Sequence, residues 1–204
     1  MDRFEKMRGK QKRENNPDLV KGIFNCESFV TTVRQDEVEN IVPLCITPTS
    51  TKNMFSGTKS PVTELDFSHT NLQHTTDMSG MFSNSNFTSI KLNNKIGNNI
   101  TSMKGMFQSC VSLTNVDISN FQALNLKDMS YMFDNSNKWN VYIEGPTVNM
   151  SGFIAPKITS FTQAFAFGHL KGTLDLRGIN FDPTAQISMY HAFEQCRRIG
   201  LYLF

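Results

Sequence analysis

The sequence predicts an α/β repeat solenoid. About six strand-plus-short-helix units would stack so that their strands form a parallel sheet on one face, behind an N-terminal cap. Three observations predict it. The dipeptide Met-Phe recurs at Met54-Phe55, Met81-Phe82, Met106-Phe107 and Met132-Phe133, and Ala-Phe replaces it at Ala164-Phe165 and Ala192-Phe193. An apolar–x–apolar triplet follows each pair: Leu65 to Phe67, Ile90 to Leu92, Val116 to Ile118, Val141 to Ile143, Leu174 to Leu176 and Leu201 to Leu203. Finally, the 204 residues hold 17 Phe and 11 Met against one Trp, yet only 39% are hydrophobic. A chain so modestly apolar fits a thin stack, which exposes more surface per residue than a globule.

The elements follow in order. Residues 1–18 form a basic arm: Arg3, Lys6, Arg8, Lys10, Lys12 and Arg13 stand against Asp2 and Glu5, so a formal charge of +2 for the whole chain hides a mildly acidic body. Residues 19–50 differ in composition and read as strand and helix pieces, with a polar linker, that cap the first repeat. From 51 to 204 each unit reads as a short helical or turn element, a bend and one strand. The i, i+3, i+4 spacing of Met78, Met81 and Phe82 places all three on one helical face. Asp77 and Asp128 precede that turn and suit an N-cap. Alternation within each triplet marks a short, half-buried strand. The fourth strand is placed at Val141 to Ile143, with an insertion behind it from Gly145 to Ile158. A single unit cannot bury its Met-Phe face; stacked neighbours can.

The fuller pattern is Met103-Lys104-Gly105-Met106-Phe107, then Cys110, Leu113, Val116-Asp117-Ile118 and Phe121. It resembles the BspA-like leucine-rich repeat of bacterial surface proteins, from about residue 50 to the end. The resemblance is strongest in units two to four; Ala replaces Met in the last two. It implies a leucine-rich-repeat-like stack used for binding, and it usually implies export. The start of this chain departs on that point, because Met1 to Arg13 has no apolar core of a signal peptide. In that family the small residue after Met-Phe is often Cys, which matches Cys110 and Cys196.

The sequence carries no nucleophile elbow, zinc-protease helix, P-loop or dinucleotide fingerprint, so the expectation is a chain that is not an enzyme and takes no cofactor or metal. No two of Cys26, Cys45, Cys110 and Cys196 have CxxC spacing, and free thiols are expected. His69 and His74 read as surface loop residues. His191 and Cys196 share the last unit, but Cys196 falls at a core position, which argues against a nucleophile–base pair.

The candidate contact surface is the outward face of the strands. Its rows read Asp66, Lys91, Asp117, Tyr142, Asp175, Tyr202 and Glu64, Ser89, Asn115, Asn140, Thr173, Gly200. Tyr142 and Tyr202 are the expected anchors. A second candidate is the C-terminal edge, Leu201, Leu203 and Phe204, an apolar strand with nothing after it to pair. The third is the basic arm. Together they point to a protein-binding or structural subunit that docks into a larger assembly, such as a virion, another multi-subunit complex or a homo-oligomer. A small intracellular inhibitor or effector, and a surface adhesin whose leader is missing, are the competing readings. Nucleic acid is expected only through the arm. No membrane insertion is expected, since no run of about 18 apolar residues occurs. The expected location is intracellular or virion-associated.

Overall fold

A computed structural model describes residues 41–43, 48–61, 63–67, 70–136, 145–181, 184–196 and 199–202. The basic arm and most of the N-terminal cap lie outside these residues. The strands are β1 (Ile41–Pro43), β2 (Glu64–Asp66), β3 (Ser89–Lys91), β4 (Asn115–Asp117), β5 (Thr147–Asn149), β6 (Ala155–Ile158), β7 (Gly172–Asp175), β8 (Ile179–Phe181) and β9 (Ile199–Tyr202). Every pairing is parallel. One sheet runs β1-β2-β3-β4-β5 in sequence order, and two pairs, β6-β8 and β7-β9, stand apart from it. Parallel order without a break means that each strand lies beside the strand of the next repeat.

The register is uniform. Leu65, Ile90, Val116 and Val148 face one another along β2 to β5 and are all buried. Their neighbours Glu64, Asp66, Ser89, Lys91, Asn115 and Asp117 are half-buried or exposed. The third residue of each triplet, Phe67, Leu92 or Ile118, lies just beyond its strand and is again buried. Isolated bridges repeat the order elsewhere in the unit. Asp77, Ser102, Asp128, Ser160 and Ser188 form one column, and Ile96, Gln122 and Ile154 another.

The Met-Phe segments depart from the expectation. They are runs of turns, and no α-helix occurs among the described residues. The reason is where the N–H groups go. In a helix each would bond four residues back. Here Met78 N–H reaches the Ser102 carbonyl at 2.9 Å and Phe82 N–H the Met106 carbonyl at 2.9 Å, both in the next unit. The intervening residues close tight turns, such as Met81 N–H to Met78 C=O at 3.3 Å. The third residue of that turn takes left-handed backbone: Gly80, Gly105, Tyr131, Gln163 and His191 have φ of 61°, 59°, 59°, 50° and 53°. Glycine suits that position best, which explains the Gly in M-x-G-M-F. Asp77 and Asp128 do receive backbone bonds, from the N–H groups of Ser79 at 2.8 Å and Ser130 at 2.9 Å, but as turn-formers two residues apart and not as helix caps.

The Met-Phe peptide itself links the units. Phe55 N–H donates to Met81 C=O, Phe82 to Met106, Phe107 to Met132, Phe133 to Ala164 and Phe165 to Ala192, at 2.7–2.9 Å. The rings follow the backbone. Phe55, Phe82, Phe107, Phe133, Phe165 and Phe193 stack in order, with centroids 5.7, 5.5, 4.9, 5.6 and 5.6 Å apart and planes within 16°. Parallel offset rings at this spacing contribute beyond their buried area. Met78, Met81, Met103, Met106, Met129 and Met132 fill the space around the column and are buried.

A lysine side chain is buried beside the core. Lys95 is 7% exposed and donates from Nζ to the Thr70 carbonyl at 3.0 Å. It follows the β3 turn where Phe121 and Phe153 follow β4 and β5, so a lysine stem ends a column that phenylalanine fills in later units. Burial lowers its pKa, and the charge of Asp66 opposes that shift.

Candidate functional site

The strand face is built by the last residue of each strand. Lys91 is exposed; Asp66, Asp117 and Asp175 are half-buried. Asp117 does more than face outward. Its carboxylate accepts the Ser119 N–H at 3.0 Å and so shapes the turn that leaves β4. Asp175 accepts the Arg177 N–H at 3.1 Å and holds its guanidinium in a two-pronged pair at 2.9 and 2.7 Å. That pair keeps the Asp175 carboxyl below the usual range, against the small opposing effect of burial. Two of these outward aspartates, Asp117 and Asp175, thus also shape the turns that end their strands.

The fourth position of the row is corrected. Val141 to Ile143, with Asn140 and Tyr142, lies outside the described residues. The strand that pairs with β4 is β5, with Asn115 opposite Thr147, Val116 opposite Val148 and Asp117 opposite Asn149. The extra residues of this unit therefore precede its strand instead of following it, and Asn149 continues the row from Asp117. The signal for this was in the sequence: Thr147-Val148-Asn149-Met150 repeats the polar–apolar alternation of Asn115 to Ile118.

At the other end, β7 and β9 pair from Gly172 opposite Ile199 to Asp175 opposite Tyr202, apart from the five-stranded sheet. Leu201 lies within β9, while Leu203 and Phe204 lie outside the described residues. Among the described residues no strand other than β7 pairs with β9.

The described thiols each bond a main-chain carbonyl. The Cys110 thiol donates to the Phe82 carbonyl at 3.0 Å and that of Cys196 to the Phe165 carbonyl at 2.7 Å, one unit back in each case. Both are free cysteines, and burial pushes each pKa up to about 11. His191 Nδ1 contacts the Glu194 carboxylate, so it and Cys196 are engaged with different partners. His69 lies outside the described residues. No group of three or more His, Cys, Asp or Glu side chains among the described residues is placed to hold a metal. No helix long and apolar enough to cross a membrane occurs among the described residues.

These features define a class: a repeat protein whose successive units lay parallel strands side by side and present polar side chains in rows. The chain belongs to the family described as "Mycoplasma protein of unknown function, DUF285", which matches residues 49–169. No curated protein and no solved structure matches it.

Proposed function

We propose that this chain is a non-enzymatic protein-binding or structural subunit, built as a BspA-like leucine-rich-repeat solenoid, that docks into a larger assembly. One observation supports the reading above the others. From β2 to β5 the buried and outward residues keep one register, so the outward side chains form straight rows on a parallel sheet. Such a face offers a partner a rigid, pre-ordered array, and little ordering entropy is lost when it is covered. Among the described residues β9 pairs with β7 alone, which supports a second contact along the C-terminal edge. The basic arm, Arg3, Lys6, Arg8, Lys10, Lys12 and Arg13, supplies a third of opposite charge to the body.

Reversing the outward charges tests the reading. A Glu64→Lys, Lys91→Glu, Asn115→Lys variant changes three side chains that face away from the core. Captured from the source organism's lysate with wild type and variant as baits, a partner that uses this face is expected to bind the variant at least tenfold more weakly at physiological salt. Equal recovery with both baits overturns the strand face as the contact.

A further inference from the structure

The outward residues of β2 to β5 carry a charge pattern that is complementary to itself. The third positions of the strands place Asp66, Lys91, Asp117 and Asn149 side by side. The first positions form a second row, Glu64, Ser89, Asn115 and Thr147. All of them are half-buried or exposed. Neighbouring strands lie about 4.8 Å apart, so a partner that meets every position of a row must repeat at that spacing. A second parallel sheet of the same kind does. Laid face to face at about 10 Å, it leaves a gap that a lysine and a carboxylate span together.

Charge decides the register of such a pair. A twofold axis along the strands, midway between β3 and β4, sets β3 against β4 of the copy and β2 against its β5. Lys91 then meets Asp117 of the copy, and Asp117 meets Lys91. At both outer ends Asp66 meets Asn149. The Asn149 Oδ1 is taken up by the Ser151 N–H at 3.2 Å and hydroxyl at 2.8 Å, which leaves its Nδ2 to donate to the Asp66 carboxylate. In the other row Glu64 meets Thr147 and Ser89 meets Asn115, so no like charges are opposed. Other registers do worse. An axis on β3 sets Lys91 against its own image and Asp66 against Asp117; an axis on β4 sets Asp117 against its image. An axis between β2 and β3 pairs Lys91 with Asp66 but leaves Asp117 against Pro43, and Asp66 already has the Lys95 charge beside it.

We propose that the strand face is the interface of a twofold pair, in which a second copy of this chain lies face to face and the two exchange Lys91 and Asp117 across the axis. The four strands offer roughly 20 by 10 Å of contact, which places the pair among weak, salt-sensitive associations. The inference rests on the reading of the strand face as a contact surface and names its occupant.

Sedimentation equilibrium of the full chain tests this, at low salt and at about 0.1–1 mM to suit a weak interface. Wild type is expected to dimerise reversibly, and less as salt is raised. Lys91→Asp and Asp117→Lys each break both ion pairs and oppose like charges in their place, so each alone is expected to dimerise at least about tenfold more weakly. An equimolar mixture of the two variants re-creates both pairs and is expected to recover dimerisation. Asn149→Asp keeps an acceptor for the Ser151 N–H and sets a carboxylate against Asp66, so it too is expected to weaken the pair. Thermal melting is expected to stay unchanged; a lysine already fills the place of Asp117 in β3. No dimer at any concentration, dimers indifferent to these substitutions, or no recovery in the mixture overturns the twofold pair. A wild type that stays monomeric, while a lysate partner still discriminates against the Glu64, Lys91 and Asn115 variant, removes this inference alone.

Discussion

The phenylalanine column makes a quantitative demand on stability. Phe107 is 1% exposed and lies between Phe82 at 5.5 Å and Phe133 at 4.9 Å. Replacing a buried Phe by Ala costs about 3–5 kcal/mol through lost burial and the cavity left behind. Phe193 is only partly buried and stacks on one ring of the column, Phe165. With about half of its ring area at stake, Phe193→Ala is expected to cost roughly 1.5–2.5 kcal/mol. In urea, with a slope of about 2 kcal/mol/M, Phe107→Ala should lower the midpoint by roughly 1.5–2.5 M, and Phe193→Ala by about half that. Far-UV circular dichroism follows both. Equal shifts for the two variants, or a loss below about 1 kcal/mol for Phe107→Ala, would refute the idea that the column couples neighbouring units.

Three further predictions follow from single residues. Gly80→Ala is expected to destabilise more than Gly57→Ala: both have left-handed backbone (φ 61° and 68°), but only at Gly80 would a Cβ meet another atom closely, Asn53 Oδ1 at 2.2 Å. Indistinguishable melting of the two would sink that distinction. Because burial raises the Cys110 pKa from 9.0 to about 11, the unfolded chain loses that proton first as pH rises. The linked stability is therefore intact below pH 9 and falls by roughly 1.4 kcal/mol per unit up to pH 11. A Cys110→Ser variant should lack that slope, as urea titrations at several pH values would report. Lys95→Met should cost about 1–3 kcal/mol, since it removes the bond to the Thr70 carbonyl and the charge beside Asp66; an unchanged urea midpoint would count against a structural role for the buried amine.

Periodicity made much of this legible in advance. Burial of Leu65, Ile90 and Val116 with Asp66, Lys91 and Asp117 outward follows from alternation alone. The helix reading of Met78, Met81 and Phe82 failed for a definite reason. Turns with a left-handed third residue also return side chains at i, i+3 and i+4 to one side, so spacing does not separate them from a helix. The Gly at 80 and 105 was the clue, being poor in a helix and favoured in such turns. Val141 to Ile143 and Thr147 to Asn149 both alternate, and only the pairing partner decides which is the strand beside β4.

The bonds through the Met-Phe peptides all run one way. Each N–H aims at a later unit and each carbonyl at an earlier one, from Phe55 to Ala192. The peptide dipoles therefore add along the column as they do along a helix, although these segments are turns. Two such columns brought together by like ends would set donor against donor or acceptor against acceptor. Copies of this chain that used the column to associate would have to follow one another in a single direction, which yields an open row or a ring and no twofold pair.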